Sequence, residues 1–143
     1  MRDVRRVGPS GWLLVARMTL WRLALPVLLR ALTTERLVRL LAAPRSQPRD
    51  PGRERFVLTV AGRLWRRSQG TCLERSLAAY RALGRIGASP LLVLAATHDP
   101  GGIVGHAWVE VDGRAVLEAT DPRTRYTALI EFDAAGHPLP AQA

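Results

Sequence analysis

Three side chains in this sequence have the types and the order needed for nucleophilic chemistry: the thiol of Cys72, the imidazole of His106 and the carboxylate of Glu118. A thiol attacks a carbonyl as its anion, and a base must take its proton and later return it to the leaving group. Gly70 and Thr71 break the chain just ahead of the cysteine. Leu73, Leu77, Tyr80 and Leu83 then recur at helical spacing, which predicts a helix from Thr71 or Cys72 to about Leu83, with Gly84 and Gly87 suited to ending it. Cys72 therefore opens a helix, where unpaired N–H groups and the positive end of the dipole favour an anion and can hold an oxyanion. A lone cysteine is more often a small buried apolar residue, so its neighbours decide the case.

His106 is the expected base, because it starts a predicted strand directly after a glycine-containing loop. His98 is the rival, within the loop 98–105, and His137 lies near the C-terminus beside Pro138 and Pro140. A working imidazole needs an acceptor on its far nitrogen to fix tautomer and orientation. Segments 106–111 and 114–118 read as a hairpin about Asp112-Gly113. With a three-residue loop, Val111-Asp112-Gly113, Glu110 opposes Arg114, Trp108 opposes Val116 and His106 opposes Glu118. Ala107, Val109, Ala115 and Leu117 then share an apolar face. A two-residue loop would set Val111 against Arg114 and His106 against Ala119, mixing the faces, so the longer loop is expected. Asp121 is the fallback partner for the histidine; Asp112 is a turn residue. The second oxyanion donor is expected from the approach 65–69, with Gln69 named.

The elements that must position these groups follow from periodicity. Ser10 can cap a helix to about Leu25, ended or kinked by Pro26, and Thr33 or Thr34 can cap a second. The stretch 43–53, APRSQPRDPGR, reads as a linker or long loop. A helix is expected over roughly 54–67 and strands over 90–97 and 126–132. Helices first, then a cysteine-bearing helix on a small antiparallel sheet, is an α+β order. The organisation expected is 1–42 as a basic helical segment, 43–53 as linker and 54–143 as the core.

Composition narrows the classes. The chain has 143 residues, 48% hydrophobic and 23% charged, which suits one globular core. One cysteine excludes an internal disulfide and thiolate-rich zinc sites, and no cofactor or metal is expected. The net charge of +9 is lopsided: residues 1–67 hold 15 Arg against 4 acids, and residues 68–143 hold 6 against 8. The arginines lie among apolar residues on short helices with no nucleic-acid motif, so an acidic partner is expected rather than nucleic acid. The apolar run 12–32 carries Arg17, Arg22, Arg30 and Pro26, which is too polar and too broken for an ordinary membrane span. It reads as paired core or docking helices, with peripheral membrane contact the other use. The expected location is cytoplasmic.

CLERSLAAYRALGRIG followed by GHAWVEVDGRAVLE resembles the leader peptidases of lasso-peptide biosynthesis, in the stand-alone form from split systems, within the transglutaminase-like cysteine proteases. The likeness covers about 54–132, and its most specific parts are the CL-x-R start with Arg75 and the HAWVEVDG string. It implies a transglutaminase-like, papain-like core and a Cys-His-Asp triad. Cys72 and His106 match the first two members, and Glu118 stands where that family has Asp. It also implies removal of a leader from a ribosomally made precursor, a small leader-binding recognition protein that delivers the substrate, and a separate cyclase that takes the product. Two other functions stay open: an acyl transferase using the same thioester, and a non-catalytic, arginine-rich binding module.

Overall fold

The computed structural model describes residues 9–43, 47–65 and 72–141. The chain is α+β. Among the described residues, helices α1 (Pro9–Ala31), α2 (Thr34–Leu41), α3 (Pro51–Leu64) and α4 (Cys72–Arg85) precede five strands. These are β1 (Leu91–Asp99), β2 (Gly102–Val111), β3 (Arg114–Val116), β4 (Thr127–Phe132) and β5 (Pro138–Pro140). They form one antiparallel sheet in the order β3-β2-β1-β4-β5.

Pro26 neither ends nor splits α1, contrary to the expected pair of helices. The missing N–H costs one backbone bond. Leu25 is fully buried beside it, and Leu28 and Leu29 pack on the same core, which offsets that loss. The unbroken helix is long and apolar enough to cross a membrane by length and composition, unlike the broken run expected. Its outer side carries Trp12, Leu23 and Val27, each 64–70% exposed. The next helices start on capping signals. Thr33 accepts the N–H of Arg36 at the head of α2, and Asp50 accepts those of Gly52 and Arg53 at the head of α3, with Pro51 in the first turn. Helix α3 thus begins inside the stretch read as linker and stops at Leu64. Arg66 and Arg67, the expected end, lie outside the described residues.

Helix α4 is the centre of the molecule. It packs on α1, α2 and α3 and, across its other side, on β2. Leu77, Tyr80 and Leu83 are buried almost completely, as the apolar stripe requires. The helix runs through Gly84 and closes at Gly87 (φ 81), where a Cβ would come within 2.4 Å of the Gln47 carbonyl oxygen. Only glycine fits there.

The loop expected over 98–105 is a strand hairpin instead. β1 continues to Asp99 and β2 begins at Gly102, with Asp99 paired to Gly102. The polar and glycine residues that suggested a loop occupy the far, exposed end of this hairpin, beyond the core. The final hairpin is closed by Asp133, whose Oδ1 accepts the N–H groups of Ala135 and His137 at 2.9 Å each. The Tyr80 hydroxyl donates to the Asp133 carbonyl, and burial, with the Asp133 charge, pushes the phenol up to about 12.

Partial burial raises the affinity of the Asp133 carboxyl for its proton. The N–H groups of His137 and Ala135, with the His137 ring, outweigh this and hold it below the ordinary carboxylate range. A depressed folded pKa gives stability that is complete above the unfolded value of about 3.9 and lost as pH falls through the folded one. Asp133→Ala should therefore cost about 1 kcal/mol at neutral pH, a gap that urea denaturation should show closing toward strongly acid pH.

Candidate active site

Cys72 is the first residue of α4, half-buried, at the helix position expected for it. One turn on, Arg75 lies on the same side of the helix (i, i+3) and its guanidinium donates to Oε1 of Glu118. The other oxygen, Oε2, lies 3.3 Å from Nε2 of His106. Ser76 donates to the carbonyl of Ala107 at 2.9 Å, tying the same helix to the strand that carries His106. The head of α4 and the imidazole are thus joined through one carboxylate and one strand. All three charged or titratable side chains are mostly shielded, with exposures of 26% for Arg75, 15% for Glu118 and 18% for His106.

The contact between His106 and Glu118 forms by a different route from the expected register. Val109 pairs with Val116, Glu110 with Ala115 and Val111 with Arg114. The loop is the two-residue Asp112-Gly113, with φ 53 and 73, the left-handed pair of a type I′ turn. One apolar face does not set this register, because β2 is buried on both faces over 107–111. Val109 and Val111 pack toward the helices, while Trp108, Val93 and Ala95 form a second cluster on the other face. In that register His106 would meet Ala119, but β3 ends at Val116 and Leu117 takes φ 64. This conformation is costly for leucine and ends the ladder. Leu117 packs with the helical core, and Glu118 reaches both Arg75 and His106 past the end of the edge strand.

The imidazole is held flat as well as at its edge. It stacks on Tyr126, with centroids 4.8 Å apart, and on Trp108 at 5.9 Å. Behind them Trp108 donates to Glu110 at 2.8 Å, and Arg123 reaches Glu110 and Glu131, each at 2.7 Å. A short 3-10 turn, Pro122–Thr124, puts Arg123 and Tyr126 there. Asp121 uses its carboxylate to cap that turn through the Arg123 N–H, so it is not at the imidazole. His98 is exposed on β1 opposite Ile103, and His137 is exposed beside Asp133, at 3.4 Å. Gln69 lies outside the described residues. Trp65, on the same approach, buries an indole N–H without a partner among the described residues.

The sequence reading missed Tyr126 as a ring partner and the Glu110–Arg123–Glu131 cluster. A signal existed: Glu131 is a single acid inside the apolar string ALIEF, which in a strand calls for a buried cation. No group of residues suited to hold a metal ion occurs among the described residues.

A cysteine-headed helix laid on an antiparallel sheet whose second strand carries a carboxylate-bound histidine is a cysteine-enzyme framework. The sequence matches the Transglutaminase-like superfamily over residues 12–131, and the chain belongs to that superfamily. The superfamily includes cysteine peptidases and acyltransferases. No curated protein and no solved structure matches the chain.

Proposed function

We propose that the chain is a cysteine peptidase that removes the leader from a ribosomally made lasso-peptide precursor, with Cys72, His106 and Glu118 as its triad. The observation that carries this reading is the run Arg75–Glu118–His106, which joins the turn bearing the thiol to an oriented imidazole. With Nε2 facing the carboxylate, Nδ1 is the ring nitrogen assigned to the thiol. The Cys72 proton passes to His106 as sulfur adds to the scissile carbonyl, and the N–H of Cys72 supports the oxyanion. Collapse of the tetrahedral species breaks the C–N bond. His106 gives its proton to the leaving amine, which is the new N-terminus of the core peptide. Water, deprotonated by His106, then cleaves the thioester and restores the thiol. Glu118 steadies the imidazolium, and Arg75 holds Glu118 in place.

In this reading a leader-binding protein brings the precursor and a separate cyclase takes the released amine. The precursor is met in the cytoplasm, where it is made. The apolar outer side of α1 suits peripheral contact with a bilayer.

The test is incubation with a precursor peptide and its leader-binding protein, read by mass spectrometry. Two fragments separated by one added water are expected. A product joined to an added amine, in place of the hydrolysed one, would make the chain a transferase instead. In the same assay Glu118→Gln should lower kcat by about tenfold to a hundredfold, because an amide cannot balance the imidazolium charge. Glu118→Asp should recover part of that loss. A kcat unchanged in Glu118→Gln would remove Glu118 from the triad.

A further inference from the structure

A second feature lies further along the helix that carries Cys72. Between α1, the start of α3 and the C-terminal half of α4 runs a groove of about 850 Å³. Its apolar lining includes Leu14, Met18, Trp21 and Phe56, and its basic lining is Arg17, Arg53, Arg81 and Arg85. No acidic residue lines it among the described residues. Asp50, 3.7 Å from Arg53, is outside the lining and also caps α3. Arg81 lies over the ring of Trp21, 4.6 Å from its centroid. The same guanidinium donates to the carbonyls of Leu40 and Leu41, at 3.5 Å each, at the end of α2. Burial, and then the charges of Arg85 and Arg17, make it easier to deprotonate than usual.

We infer that this groove binds an acidic segment of the peptide substrate that also carries apolar side chains. The inference rests on the peptidase reading above. Four cations around an apolar trough are complementary to carboxylates spaced among apolar residues, and the charges would guide approach as well as hold. The trough is concave, so a segment of chain enters it, whereas a bilayer surface meets the convex outer side of α1. The substrate itself, rather than a separate carrier, follows from distance. Arg81 and Arg85 lie about 14 and 20 Å along the helix axis from Cys72 and, at about 100° per residue, toward the opposite side of α4. Passing around the helix as well as along it, an extended peptide covers that path in about six to eight residues. One molecule can therefore fill the groove and present its scissile bond at the thiol.

The test uses the full chain carrying Cys72→Ala and two fluorescein-labelled synthetic peptides of equal length. One has glutamates among leucines, and the other has lysine at each glutamate position. Fluorescence anisotropy should show the acidic peptide binding at least tenfold more tightly. Adding Arg17→Glu and Arg85→Glu, both at exposed positions, should remove that preference. In the otherwise wild-type chain the same pair should raise KM for the precursor at least tenfold and leave kcat unchanged, without the leader-binding protein present. Equal binding of the two peptides overturns the inference. So does a KM that moves only when the leader-binding protein is added, which would place the acidic segment on that carrier. Loss of binding to phosphatidylglycerol vesicles, with peptide binding intact, would make the arginines a membrane contact and also overturns it. If the arginines govern peptide binding but the wild-type chain cleaves nothing, the groove's preference stands and the peptidase reading falls.

Discussion

Cys72→Ala should reduce precursor cleavage by at least about a thousandfold, because a triad whose nucleophile is missing retains only binding and oxyanion support. The same change should leave the fold in place. The Cys72 side chain is half-buried at the first position of α4, and the helix is fixed beyond it by Leu77, Tyr80 and Leu83. Thermal unfolding should therefore move by only a few degrees, as expected for a change of less than about 1 kcal/mol. This separates the peptidase from a binding module built on arginine, whose function would survive the loss of the thiol. Cleavage retained in Cys72→Ala would remove the nucleophile from the mechanism.

Arg123→Met should be the most destabilising of the surface-reaching substitutions. Glu110 and Glu131 are buried, with 6% and 1% exposure, and Arg123 ion-pairs with both. Its hydrogen bonds to Glu110 and then Glu131 hold the guanidinium firmly in the charged form. Removing it leaves two carboxylates in the sheet without their cation, at a cost of about 3 kcal/mol, the low end for such pairs because Arg123 is itself one third exposed. Arg125→Met is the control. Arg125 is 63% exposed and 3.9 Å from Asp99, so its loss should cost less than about 0.5 kcal/mol in the same urea titration. Equal costs for the two variants would mean that the buried carboxylates do not depend on Arg123. The same cluster lies behind the imidazole, since Trp108 both stacks on His106 and donates to Glu110.

Much of this architecture is legible in the residues. Leu73, Leu77, Tyr80 and Leu83 define the cysteine helix by spacing alone, and Asp112-Gly113 marks the hairpin. The α+β order follows from where helical spacing gives way to strand-length apolar runs. What the sequence hid has physical causes. One apolar and one polar face would fix the hairpin register by alternation, whereas β2 is buried on both faces over 107–111 and Glu110 is hidden through Arg123. Alternation carries little register information under those conditions. The nearness of Glu118 to His106 arises from Leu117 with φ 64, a backbone state that no propensity predicts for leucine. Local rules give the cost of Pro26, which predicts a break, and not the tertiary packing of Leu25 and Leu28 that outweighs it. Asp50-Pro51 marks the start of α3, but it lies in a proline-rich run whose composition is that of a linker.

The central claim is that one imidazole, steadied by Glu118, controls the reactivity of the only thiol. Iodoacetamide labelling of Cys72, followed by mass spectrometry in the wild type and in His106→Ala, measures that coupling directly. Rapid labelling at neutral pH that slows by at least tenfold without the imidazole is the predicted result. A thiol that labels slowly in both proteins, at the same rate, would contradict the account.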